Sequence, residues 1–123
     1  MNHQRDHLSA VTLPSGAVMA VGGDWSAPDN TAEIYNPGLR TWQEAGTLET
    51  GYATATALAD GRVLVAGVGP RAQLTTETET FDPATRMWSP TGALARTSVY
   101  SCAARVLNGE VLLLDGLSTD AEL

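Results

Sequence analysis

Apolar residues in this chain come in short runs separated by small polar clusters. Ala17 to Val21, Val63 to Ala66 and Val111 to Leu114 are such runs, rich in Val and Leu and too short for helices. Gly, Asp, Asn, Ser and Pro stand between them, and no segment of ten or more residues carries a helical period. The pattern predicts an all-β chain of short strands joined by tight turns.

The runs recur as a unit. The first unit reads Leu13-Pro-Ser-Gly16, then Ala17-Val-Met-Ala-Val-Gly22-Gly23, then Glu33-Ile-Tyr35-Asn36-Pro37 and Trp42. The second reads Leu58-Ala-Asp-Gly61, then Val63-Leu-Val-Ala-Gly67-Val-Gly69, then Glu79-Thr-Phe81-Asp82-Pro83 and Trp88. The third begins Leu107-Asn-Gly109-Glu-Val-Leu-Leu-Leu-Asp115-Gly116 and reaches Ala121-Glu122-Leu123. Gly16 and Gly61 are 45 residues apart, Pro37 and Pro83 are 46, Trp42 and Trp88 are 46, and Gly61 and Gly109 are 48. A fixed period of this size marks a repeat architecture, whose units bury their faces against each other. The repeats are expected over about 7–51 and 52–100, with an incomplete third over about 101–123.

Each unit is expected to hold four strands, A to D. Strand A is predicted near 10–13, 54–58 and 103–107, and strand B near 17–21, 62–68 and 110–114. Strand C is predicted at 31–35 and 76–81, and strand D around 41–43 and 87–89. Ser15-Gly16, Asp60-Gly61 and Asn108-Gly109 join A to B, with Gly supplying the positive φ of a two-residue hairpin. Asn36-Pro37 and Asp82-Pro83 join C to D, where the Asx side chain bonds the backbone ahead and Pro presets φ.

Composition narrows the partners. The 123 residues are 43% hydrophobic and 17% charged, enough apolar content for a core. Fourteen acidic side chains face seven basic ones, all Arg, for a formal charge of −7. That argues against a nucleic-acid surface, which needs a basic face, and against a polybasic membrane contact. Cys102 is the single cysteine, so no intrachain disulfide is expected. No apolar run approaches the roughly 20 residues of a membrane helix. The first residues, through His7, carry no apolar signal-peptide core, which leaves the compartment open.

A glycine pair ending strand B, then Glu-x-Tyr-Asn-Pro, then Trp seven residues after the aromatic, resembles the kelch repeat. Gly22, Gly23, Glu33, Tyr35, Pro37 and Trp42 carry the resemblance in the first unit. Gly67, Glu79, Phe81, Pro83 and Trp88 carry it in the second. The wording of the repeats is similar to that of bacterial kelch proteins whose propellers resemble the central domain of galactose oxidase. The resemblance implies an open arc of two four-stranded propeller blades plus a partial third. A propeller typically has about 4–8 blades, so the length reads as a piece of a ring. Further blades, in cis or in trans, are then expected to complete it. Members of the family are often extracellular.

The long connections are where such a scaffold carries function. They are expected at 24–30, 69–75 and 118–120 between strands B and C, and at 45–53 and 91–101 between D and A. The ligand-facing candidates there are Asp24, Trp25, Asp29, Tyr52, Arg71, Gln73, Arg96 and Tyr100. Trp25 is the one tryptophan off the repeat register. It can stack on a sugar or a peptide, or fold back over a blade edge, while an Arg can hold a carboxylate bidentately. Glu33, Glu79 and Glu122 recur once per unit, which suits a strand-end hydrogen bond or a pair with Arg40 or Arg86 better than catalysis.

No catalytic pair, metal site or cofactor is expected from these residues. His3, Asp6 and His7 fall short of a ligand set, because the chain has no other His. Tyr100 and Cys102 invite comparison with galactose oxidase, which the resemblance associates with copper bound by two Tyr and two His. Those histidines are absent here, and Cys102 is read as a small strand residue. The favoured function is non-catalytic recognition of a protein or glycan through the B–C and D–A loops. The alternative is a segment of a galactose oxidase-like or sugar-isomerising enzyme. A third possibility is a truncated product with no stable function.

Overall fold

The computed structural model describes residues 1–23, 30–49, 52–68, 75–97, 101–116, 118–119 and 121–123, with the backbone alone described at 52, 53 and 68. Among the described residues there are strands and turns and no helix. The first sheet holds β1 (Ser9–Thr12), β2 (Val18–Val21), β3 (Thr31–Asn36) and β4 (Thr41–Thr47) in chain order. The second holds β5 (Tyr52–Ala57), β6 (Val63–Val68), β7 (Glu77–Asp82) and β8 (Met87–Ala93), again in chain order. The third holds β9 (Cys102–Arg105), β10 (Val111–Leu114) and the short β11 (Ala121–Glu122). Every neighbouring pair is antiparallel. β5 packs between β1 and β9, so the first strands of the three sheets stand side by side. The chain is an open arc of two four-stranded blades and a partial third.

The turns differ from the two-residue hairpins that the glycines predicted. Leu13 donates its N–H to Ala17 O at 2.8 Å, and Gly16 donates to Leu13 O at 2.9 Å. Leu58, Gly61 and Arg62 repeat this arrangement, as do Val106, Gly109 and Glu110. Three residues lie between each closing pair, and the last is Gly at φ 81, 89 or 94. This is the three-residue hairpin, whose final position is left-handed and therefore favours Gly. The residue before each Gly helps: Ser15, Asp60 and Asn108 each accept the N–H two positions on.

At the C–D turns, Asn36 Oδ1 accepts from Gly38 and Leu39, and Asp82 Oδ1 accepts from Ala84. Arg40 and Arg86 then take φ 55 and 59, a region that side-chain-bearing residues seldom enter. Both D strands also run further than predicted, to Thr47 and Ala93. A register shift between Thr31 and Glu33, matched between Glu77 and Glu79, carries the pairing past the point where the apolar pattern fades. The D–A connections are correspondingly shorter, and Tyr52 opens β5 opposite Val68 instead of lying in a loop.

Blade faces follow from the pairing register. Val11, Met19, Val21, Ala32 and Ile34 share one face of the first blade, because Met19 pairs with both Val11 and Ile34, and Val21 with Ala32. Ala55, Val63, Val65 and Phe81 share a face of the second. The two faces meet in one core cluster, joined by Leu13, Ala45 and Leu48. Met19, Val21, Val63, Val65 and Phe81 are fully buried there. Burial of this apolar seam is the main force holding the first two blades together.

Candidate functional site

The hairpin turns gather at one end of the arc and the B–C and D–A connections at the other. Of the eight ligand-facing candidates, Asp24, Trp25, Asp29, Arg71, Gln73 and Tyr100 lie outside the described residues. Tyr52 is described in its backbone alone. Arg96 is placed: with Thr97, Leu113, Asp115 and Glu122 it lines a cleft of about 240 Å³ at the connection end of the third blade. Ala95 N–H donates to Glu122 Oε1 at 2.7 Å, which pins the segment carrying Arg96 to β11. One guanidinium and two carboxylates therefore border a single small cleft. Such a set can hydrogen-bond the hydroxyls or amides of a polar ligand.

The repeated glutamates share one geometry. Asn2 N–H donates to Glu33 Oε1 at 2.7 Å, Glu49 N–H to Glu79 Oε2 at 2.9 Å, and Ala95 N–H to Glu122 Oε1 at 2.7 Å. In each blade the carboxylate of strand C ties down the segment that leads into that blade. The arginine partners anticipated for these carboxylates are different ones. Glu33 pairs with Arg5, Nε to Oε2 at 3.1 Å, with both side chains essentially fully buried. Arg86 instead donates to Glu44 O at 2.7 Å, and Arg40 sits exposed in its left-handed turn.

Arg5 is bonded throughout. It also donates to Gly22 O at 2.8 Å, Thr31 O at 2.7 Å and Thr31 Oγ1 at 2.8 Å. Burial pushes the Glu33 carboxyl up, but the N–H of Asn2, the bond and charge of Arg5 and the N–H of His3 bring it below its ordinary value of 4.5. Residues 2–6 thus strap the outer face of the first blade. The strap explains the glycine pair: Asp6 donates to Gly23 O at 2.9 Å, and a Cβ on Gly23 would lie 2.6 Å from Asp6 O. Gly22 and Gly23 take φ 71 and 97.

The aromatic repeat positions also correspond. Tyr35 and Trp42 stack at 5.1 Å with a 41° tilt on the outer face of the first blade. Phe81 and Trp88 stack at 5.0 Å and 47° inside the seam, where Trp88 Nε1 donates to Ala45 O at 2.6 Å. Gly46 takes φ 87, and a Cβ there would sit 3.2 Å from Trp88 Cδ1, so the indole closes on a bare backbone.

Two features escaped the sequence reading. Arg5 was not singled out, although it is the one Arg preceding the first strand. The other is a series of threonines. In the second blade Thr56, Thr78, Thr80 and Thr91 stand where Val11, Ala32, Ile34 and Ala45 stand in the first. The alternating Thr in β5 and β7 was the available signal.

A larger hollow of about 470 Å³ lies at the hairpin end, between Pro14, Ser15 and the turn at Asp82 to Arg86. Its polar side chains already hold turns: Asp60 accepts from Arg62 at 2.7 Å and Asp82 from Ala84 at 2.8 Å. His3 lies 3.6 Å from Glu44, and His7 lies 3.9 Å from Asp6. Cys102 is exposed at the start of β9. Among the described residues no three His, Cys, Asp or Glu side chains come together as metal ligands, so they do not fit a copper centre. Among the described residues no helix is long and apolar enough to cross a membrane.

No protein-family model and no curated protein matches the chain. Among solved structures the chain is similar to a fungal alcohol oxidase of the AA5 family in complex with copper. The TM-score is 0.76 and the identity 22% over 91% of this chain. The chain spans 27% of the length of that protein. At this identity the likeness concerns the fold, which is all-β and built from antiparallel sheets in an unclosed arc.

Proposed function

We propose that the chain is part of a kelch-type recognition propeller that binds a protein or glycan through the connections at one end of its blades. The observation carrying this reading is the division of labour among its carboxylates. Glu33, Glu79 and Glu122 each hold a backbone N–H, while the charged cleft of Arg96, Asp115 and Glu122 opens at the connection end. Rigid sheets with variable connections are the usual platform for binding. Purified chain screened against a panel of oligosaccharides and peptides is expected to show saturable binding. Arg96→Ala is expected to weaken it about tenfold, as for loss of a charged anchor.

The second reading, favoured by the likeness to a copper-containing alcohol oxidase, is a segment of a galactose oxidase-like enzyme. Copper-dependent peroxide release from a primary alcohol, with no binding in the panel, would replace the first reading with the second.

A further inference from the structure

The seam between the second and third blades holds a groove of about 410 Å³, distinct from the connection loops. Thr54, Thr56, Leu64 and Ala66 border it from the second blade, and Ala103, Val111 and Leu113 from the third. This size falls in the range of about 300–1,000 Å³ typical of ligand pockets. The Thr56 side chain is more than nine-tenths buried, and its Oγ1 has no hydrogen-bond partner. A buried hydroxyl left unsatisfied favours an occupant that can bond to it.

The neighbouring seam indicates what that occupant looks like. There the equivalent space is filled by Phe81 and Trp88, carried on β7 and β8, with the indole N–H on Ala45 O. In the second blade Thr91 takes the place of Ala45, and Gly92 that of Gly46. A Cβ at Gly92 would meet no atom within 4 Å, whereas at Gly46 it would meet Trp88. On the third blade β11 is an edge strand, paired to β10 alone. Its counterparts β3 and β7 each carry a further strand bearing a Trp, and that strand's Trp completes the seam.

We propose that this groove docks an extended peptide bearing a Trp, which adds to the free edge of β11 and seats its indole between the second and third blades. Strand addition supplies backbone hydrogen bonds along the edge, and the pocket selects the side chain. The indole offers apolar area with one N–H donor, matching an apolar groove that ends at a backbone carbonyl.

The test uses a fluorescein-labelled peptide copying residues 84–94, the chain's own Trp-bearing strand, titrated with the full chain and followed by anisotropy. Saturable binding is expected. Replacing the peptide's Trp by Ala is expected to weaken it about tenfold or more, the effect of losing a buried aromatic anchor. Ala103→Trp, which fills the groove from the third blade, is expected to abolish binding of the unmodified peptide. Should that variant fail to fold, the two-peptide comparison on the unaltered chain decides alone. Equal binding of the Trp and Ala peptides overturns the proposal, as does no binding up to about 1 mM peptide. Self-association that Ala103→Trp abolishes, without peptide binding, assigns the groove to a second copy and also overturns it.

Discussion

The two seams of this arc are built on one plan and filled with different chemistry. Between the first and second blades, Val11, Ala32, Ile34 and Ala45 face Val63, Val65, Phe81 and Trp88, and the space is closed. Between the second and third, Thr56, Thr78, Thr80 and Thr91 hold the matching positions, and a groove of about 410 Å³ remains. Two of these threonines find backbone acceptors: Thr78 Oγ1 reaches Gly92 O at 2.7 Å and Thr80 Oγ1 reaches Ser89 O at 3.5 Å. Thr56 finds none. A repeat therefore conserves strand register and turn geometry more strictly than the material between blades. The first seam is a packed core, and the second is an amphipathic surface turned inward.

The sharpest way to break this comparison is to truncate matched residues on either side of it. Phe81 is fully buried in the first seam, and Phe81→Ala is expected to cost about 3–5 kcal/mol of stability. Leu64 borders the groove and is half-buried, so Leu64→Ala leaves little new void and is expected to cost about 2 kcal/mol or less. Urea midpoints of the two variants measure the difference. Equal losses would mean that the second seam is as tightly packed as the first.

Next in size is the buried ion pair at the arc's strapped face. Removing one partner of such a pair leaves the other charge uncompensated, at a cost of about 3–5 kcal/mol. Glu33→Gln is accordingly expected to destabilise the chain by about 3 kcal/mol at neutral pH. Glu122 holds the same place in the repeat but is partly exposed, and Glu122→Gln is expected to cost no more than about 1 kcal/mol. The pH dependence separates them further. The folded Glu33 carboxyl titrates below its ordinary 4.5, so its contribution is complete above that value and is lost as pH falls through the lower, folded value. Urea midpoints measured down through this acid range should fall steeply for the unaltered chain and more gently for Glu33→Gln. Parallel curves would show that the Arg5 pair does not govern acid sensitivity.

Strand order and blade number were legible in the sequence because they rest on local signals. The Gly before each B strand, the Asx-Pro after each C strand and the Val-rich runs act within a few residues. Contacts between distant residues were not legible. Arg5 meets Glu33 across 28 residues, and nothing near Arg5 announces a carboxylate. The left-handed Arg40 and Arg86 contradict local preference, because the turn that Asn36 and Asp82 impose leaves their backbones no other course. The D strands were read short since a register shift, not an apolar run, extends them. The candidate site was the least legible. Its residues sit on connections without a repeat, where one unit gives no guide to the next.

The smallest effect tests whether threonine itself distinguishes the seams. Val11 and Thr56 occupy one repeat position, each paired across its blade with a buried or half-buried apolar residue, Met19 or Leu64. The two side chains have nearly the same shape, so exchanging them alters polarity with little change in volume. Val11→Thr introduces a hydroxyl into a seam whose neighbours are apolar, and is expected to destabilise by about 1–3 kcal/mol. Thr56→Val removes a hydroxyl that has no partner, and is expected to be neutral or to stabilise by up to about 1 kcal/mol. Opposite signs from one exchange would show that the second seam tolerates polarity which the first does not. If Thr56→Val instead costs about 1 kcal/mol or more, the hydroxyl has a partner in solution, most simply a water held in the groove. The second seam would then be a hydrated interface, and an indole entering it would have to displace that water.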